Sequence, residues 1–314
     1  MRRVMIDTDP GVDDALALML AFSSPELRVE AVTTVVGNVS LELANKNALK
    51  ILEFLGAEET PVAPGASKPL FREPLDATAF HGKTGLSGAE LPEPKSVLDP
   101  RSAVQVIVEL AEEFGEELTL IPIGPLTNIA SAILAYPDIT NMIGGLVLMG
   151  GAFNLTPYGQ GNVSAVAEFN IWHDPEAAKI VFESGMPVKA VGLDVTTDPM
   201  NRLDRDMYEE IRGLGTRRSR LVSALCGGSI KRFGRFSLHD PMAVALAVDP
   251  SLASTESHIV GVETMGVLTR GMTVVDRRRV HRSEGSGTRA DICVSVDGPR
   301  FKEMFMERVI HGGL

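Results

Sequence analysis

Short apolar runs and helix-period stretches alternate along this chain from its first residues. Arg3–Ile6 reads as a brief strand and Asp13–Phe22 as a helix-forming run. Residues 29–36 (VEAVTTVV) are β-branched and almost continuously apolar, as in a strand buried on both faces. Leu41–Leu55 then shows helical periodicity, with Leu41, Leu49, Leu52 and Leu55 among its apolar positions. Leu118–Ile123 is a second buried strand and ends in a Gly124-Pro125 turn that opens a helix. Leu146–Met149, followed by Gly150-Gly151, and Val188–Val191 repeat the pattern, and Met242–Val248 reads as a helix. This alternation predicts an α/β fold with a mainly parallel central sheet and helices on both faces.

Two stretches break the rhythm. Pro61–Pro100 holds seven prolines and little periodicity, and is expected to be a long surface excursion. Residues 266–280 (GVLTRGMTVVDRRRV) alternate around Gly271 and predict a C-terminal antiparallel hairpin at a sheet edge. With no repeat, low-complexity tract or clear linker, a single domain over residues 1–314 is expected.

Composition narrows the function classes. At 314 residues and 44% hydrophobic content the chain can bury a large core. Its formal net charge is −11, and its densest basic stretch, Arg277-Arg278-Arg279, is short, so nucleic acid is not an expected partner. No apolar run approaches the roughly twenty residues that cross a bilayer, so no membrane association is expected. The two cysteines, Cys226 and Cys293, lack metal-ligand spacing and point to a reducing compartment. With no signal peptide read at the N-terminus, a cytoplasmic location is expected.

Four aspartates, Asp7, Asp9, Asp13 and Asp14, fall within eight residues at the carboxyl end of the first predicted strand, where α/β sheets collect ligands. Like charges packed so tightly raise one another's pKa or demand a cation. Asp13 and Asp14 could instead be helix-start acids that favour the dipole. Asn38, Glu168, Asn170 and the His239-Asp240-Pro241 triplet lie near the ends of other predicted elements. Each has a bland reading: Asn38 as a helix cap, Asp240 as an N-cap ahead of a first-turn proline, and His239, Glu168 and Asn170 as ordinary residues. Several carboxylates with a carbonyl suit a hard cation, calcium over magnesium. An EF-hand fails because its twelfth position would be Leu18. An aspartyl phosphatase fits less well, with Gly11 two residues after Asp9 and no reason for the Asp13-Asp14 pair.

Taken together these segments resemble the inosine-uridine nucleoside hydrolases. DTDPGVDDALAL from Asp7, VVGN ending at Asn38, HGKTGL from His81, GPLTNIA from Gly124, VLMGGAF from Val147, VAEFNIWHDPEAA from Val166 and HDP from His239 follow in that family's order. The resemblance spans almost the whole chain. It implies a Rossmann-like domain that hydrolyses the N-glycosidic bond of a ribonucleoside, giving ribose and free base, around one calcium ion. By similarity the metal ligands would be Asp9, Asp14, the Ile123 carbonyl and Asp240, with Asp7 orienting the site. Asp9, Asn38 and His239 would form the catalytic group. Asp9 would take the proton of a metal-bound water attacking the anomeric carbon through an oxocarbenium-like transition state, and His239 would protonate the leaving base. Asp13, Asn38, Glu168 and Asn170 would hold ribose hydroxyls with Asn162 nearby, Met149 and Phe169 would form apolar walls, and His81 would sit on a mobile loop. A homodimer or homotetramer in nucleoside salvage is implied on the same basis.

Base contacts in that family come from the helical stretch upstream of HDP. Here Gly227 and Lys231 occupy the expected spacing, with Arg232, Phe233, Arg235 and Phe236 as substitutes, and the insertion Asn154–Tyr158 reshapes the rim. Purine against pyrimidine stays open at this level. The alternative from another class is a non-catalytic nucleoside- or ribose-binding protein on the same scaffold.

Overall fold

The structure is a computed structural model that describes residues 1–74, 84–278 and 288–312. A nine-stranded sheet forms the centre of a single α/β domain. In chain order its strands are β1 (Arg2–Thr8), β2 (Leu27–Thr34), β3 (Val62–Pro64), β4 (Leu118–Pro122), β5 (Gly145–Met149), β6 (Val188–Val191), β9 (Ala253–Val262), β10 (Thr273–Asp276) and β11 (Thr288–Val296). A separate two-stranded pair joins β7 (Leu203–Asp204) to β8 (Arg235–Phe236). The spatial order is β10-β9-β11-β6-β5-β4-β1-β2-β3. Pairing is parallel from β3 across to β11 and antiparallel at β9 with both β11 and β10.

The continuous apolar runs are explained by two cores, one on each face. In β1, Val4 and Ile6 join the first core and Met5 the second, and in β5 Val147 and Met149 oppose Leu146 and Leu148. The first core is closed by α1 (Val12–Phe22), α2 (Leu41–Leu55), α9 (Arg217–Phe233), α10 (His239–Val248) and α11 (Gly298–Phe305). The second is closed by α3 (Ala103–Phe114), α4 (Thr127–Ala135) and α6 (Pro175–Glu183). Helix α1 is buried on nearly every side, so truncating Leu16 to alanine would cost about 2–5 kcal/mol. Among the described residues there are three further α-helices, α5 (Phe169–His173), α7 (Leu193–Thr196) and α8 (Arg205–Leu214).

Several expectations are corrected. The second strand begins earlier and ends at Thr34, which leaves 35–38 to turn into the site. The start of the proline-rich excursion is the edge strand β3, paired to β2. The C-terminal antiparallel hairpin is present at the sheet edge, but only its second arm, β10, falls within 266–280: its first arm is β9, and Gly271 precedes β10. Gly271 is needed there because it has φ +75° and a Cβ would lie 2.7 Å from the Trp172 backbone. The outer half of β9 is polar and exposed, so it carries no apolar signal in sequence.

Candidate active site

The site opens at the carboxyl ends of β2, β1, β4 and β5, four neighbours in the sheet, in a cavity of about 600 Å³. Asp9, just past β1, is fully buried. Asp9 lies between two glycines. A Cβ on Gly37 would fall 2.0 Å from its Oδ2, and one on Gly124 2.7 Å from its Oδ1. The Asn38 backbone N–H donates to Asp9 Oδ2 at 2.6 Å, while Oδ1 is buried with no protein partner. Burial, reinforced by the charge of Asp14, pushes the Asp9 carboxyl well above the usual range.

Asp14, on the first turn of α1, is also buried and accepts four bonds. Its Oδ1 receives the Thr8 hydroxyl at 2.6 Å and the Asp9 amide at 3.2 Å. Its Oδ2 receives the Gly11 amide at 2.9 Å and the Asn38 side-chain amide at 3.0 Å. Asp14 is thus a helix-start acid, as the bland reading held, and accepts the amide of the N-cap Gly11, but two of its bonds also tie it to Asp9 and Asn38. The cap of α2 is Ser40, whose Oγ accepts from Leu43 N, so Asn38 is released from that role. Asp240 is not a cap either: α10 starts at His239, with Leu238 before it.

One carboxylate oxygen from each of Asp13, Asp14 and Asp240 lies within 4.8 Å of the others, a group able to hold a metal ion. Asp9 is not in that closest group. Burial first, and then the Asp14 charge, pushes Asp13 up to about 7. Burial and the surrounding carboxylates, Asp13 foremost, push Asp240 well above the usual range. This concentration of acids is tolerable when protonated or when a cation lies among them. Asp7 stands apart, on the β1 side that faces α4. It accepts from Thr33 Oγ1 at 2.5 Å and Asn128 Nδ2 at 2.7 Å, and burial raises it to about 7 against those bonds.

On the opposite wall, Glu168 caps α5. It accepts amides from Asn170 (2.8 Å), Ile171 (3.1 Å) and Gly151 (3.1 Å), and burial raises its pKa against these donors. Asn170 donates through Nδ2 to the carbonyls of Ile123 (2.9 Å) and Met149 (3.2 Å), joining the ends of β4 and β5. Met149, Asn162, Phe169 and His239 line the same cavity, as do Asp13, Asn38, Ile123 and Asp240. His81 falls outside the described residues. The structure thus gathers the remaining sequence-predicted residues, with Asp7, Asp9 and Asp14 beneath the cavity surface.

The rim corrects the helical phase of α9. Leu225, Gly228, Ser229, Arg232 and Phe233 face the cavity, whereas Gly227 and Lys231 do not line it. Gly227 instead faces α8, where a Cβ would lie 3.0 Å from the Tyr208 hydroxyl. Residues 153–156 are pinned by Asp194, which sequence reasoning missed. Its carboxylate accepts the amides of Phe153 (2.8 Å), Leu155 (2.7 Å) and Thr156 (3.1 Å). Thr8, Asn47, Asn128 and Thr196 were missed too. Asn47 ties the acidic turn to the segment at Thr84 by donating to the carbonyls of Pro10 (3.0 Å) and Thr84 (2.9 Å).

The family model for inosine-uridine preferring nucleoside hydrolases matches residues 4–303. The chain belongs to that family. It is an N-glycosyl hydrolase of ribonucleosides. The hydrolase is 39% identical over 98% of its length, and 97% of the relative's, to pyrimidine-specific ribonucleoside hydrolase RihA of Escherichia coli. It is similar to the solved structure of a purine-preferring ribonucleoside hydrolase from Gardnerella vaginalis (TM-score 0.88, 35% identity, 99% and 98% of the two chains). It is also similar to a plant nucleoside hydrolase (TM-score 0.89, 32% identity, 98% and 99%). Among the described residues, no helix is long and apolar enough to cross a membrane.

Proposed function

We propose that the hydrolase cleaves the N-glycosidic bond of ribonucleosides with one calcium ion held at the acidic floor. The observation that carries this reading is the buried, unpartnered Oδ1 of Asp9 beside the Asp13–Asp14–Asp240 group. The donor set is all oxygen, which fits a hard cation with flexible coordination. Asp9, Asp14, Asp240 and the Ile123 carbonyl would hold it, with Asp13 at its edge. When bound, calcium supplies the positive charge that neutralises these carboxylates and lowers the pKa of the attacking water.

The chain's own residues would do the rest. Asp9 accepts a proton from the water as its oxygen bonds to the anomeric carbon and the bond to the base nitrogen breaks. Glu168, Asp13 and the amides of Asn38 and Asn170 hold the ribose hydroxyls, and this anionic wall stabilises positive charge developing on the sugar. Apolar Met149 and Phe169 limit water on the sugar's other side. His239 delivers a proton to the departing base. Asp7, tied to Thr33 and Asn128, fixes the end of β1 and so the position of Asp9.

The test is ribose release from inosine, adenosine, uridine and cytidine by calcium-replete protein, with kcat/KM for each. No release from any of them would overturn the reading. The named relatives divide between pyrimidine-specific and purine-preferring, so the panel also assigns the base. Were the chain a binder only, Asp9→Ala would leave no turnover to lose. Assembly as a homodimer or homotetramer and a cytoplasmic salvage role complete the proposal, and sedimentation tests the first.

A further inference from the structure

His239 begins α10 and lines the cavity, but an imidazole protonates a leaving base only if the nitrogen it presents carries the proton. Its Nδ1 lies 2.8 Å from Thr196 Oγ1. Thr196 is wholly buried at the end of α7, the single turn after β6. That turn is held on several sides. Leu193 N donates to the Gly151 carbonyl at 2.9 Å, and Asn201 Nδ2 donates to the Val195 carbonyl at 2.9 Å. The Thr156 hydroxyl donates to the Asp194 carbonyl at 2.7 Å, and the Asp194 carboxylate grips 153–156. The Thr196 hydroxyl is thus a fixed point to which the ring is attached.

We infer that Thr196 is a positioning residue: its hydroxyl, hydrogen-bonded to His239 Nδ1, fixes the ring so that Nε2 is the nitrogen turned toward the leaving base. The same bond fixes the ring plane over the cavity, and the transfer is sensitive to that geometry. The inference rests on the reading of His239 as the group that protonates the base.

The experiment compares Thr196→Val, Thr196→Ser and His239→Ala on a natural ribonucleoside and on 4-nitrophenyl riboside, whose leaving group needs no proton. Thr196→Val should lower kcat on the natural substrate about ten- to a hundredfold with KM nearly unchanged, and spare the nitrophenyl substrate. Thr196→Ser should restore most of the loss, and Thr196→Val should add little in a His239→Ala background. Imidazole nitrogen NMR of the unsubstituted enzyme should find Nδ1 hydrogen-bonded, a readout that survives misfolding of any variant. A selective loss in His239→Ala with wild-type kcat in Thr196→Val overturns the role of Thr196 alone, as does an Nδ1 found without a hydrogen bond. Equal losses on both substrates in His239→Ala overturn the reading of His239 and this inference with it.

Discussion

The main-chain amide of Asn38 holds one oxygen of Asp9 at 2.6 Å, and the other oxygen is left buried with no protein partner. A carboxylate fastened at one oxygen is oriented without being neutralised, as a base at the bottom of a cleft must be. Asp9→Asn retains the shape and can still accept the Asn38 bond, but removes the base. Turnover should fall by about 10²–10⁴ while the melting temperature changes little, measured by ribose release and thermal unfolding. Near-normal kcat in a folded Asp9→Asn protein would assign the proton elsewhere.

Gly37 and Gly124 form the slot that receives this side chain. Gly37→Ala would drive a methyl to 2.0 Å from Oδ2, and either Asp9 or the 35–38 turn must move. A displacement of about 1 Å at a reacting group costs on the order of a hundredfold in rate. Gly213→Ala is the control, since a Cβ there meets nothing within 4 Å. The expected result is a large kcat loss at Gly37 and none at Gly213.

Chelation provides the metal test. Protein stripped of calcium should lose turnover and unfold at lower temperature. Restored calcium at about a hundred times its Kd should return about 2.7 kcal/mol of stability. Recovery with magnesium but not calcium would reassign the ion, and an unchanged melting temperature after verified stripping would remove the metal from the floor.

His173 sets a pH dependence away from the carboxylates. It is buried with neither ring nitrogen partnered, packs against the Phe169 ring at 5.5 Å, and is lowered from 6.5 to about 4 by burial and then by the charge of Arg270. The unfolded chain therefore binds a proton at this site between pH 4 and 6.5 that the folded chain does not. Its contribution is intact above pH 6.5 and is lost as pH falls toward 4, by about 3 kcal/mol at most. His173→Leu should gain stability relative to the native chain as pH falls through that window. Parallel unfolding curves for the two proteins across it would show that the ring is not held neutral.

Periodicity and strand-end chemistry made much of the design legible. Leu41–Leu55 and Val188–Val191 match their elements residue for residue, because each has one clear period and a sharp boundary. Strand β9 was not legible, since its polar outer half packs on neighbours by backbone pairing rather than by apolar side chains. In the site, the acids were readable because unpaired charges at strand ends have few structural uses. Gly227 and Lys231 missed the cavity by one residue of helical phase, which depends on how α8 and Tyr208 seat α9. Asp194 and Thr196 follow β6 at its carboxyl end, so the rule that singled out Asn38 applies to them as well. Their partners, the 153–156 amides and His239, are distant in sequence and gave no local sign.

Floor and rim are carried by different parts of the molecule. Asp7, Asp9 and the Ile123 carbonyl are set at the ends of adjoining strands, where Ile123 N bonds the Asp7 carbonyl at 2.8 Å, and Asp13, Asp14 and Asp240 by the first turns of two buried helices. The cavity face of α9 is a short set of side chains on one helix, with no share in that ladder. Exchanging those side chains is expected to alter what the cleft admits without moving the proposed catalytic residues. The fold thereby keeps the side chains at the mouth of the cleft apart from those proposed to break the bond.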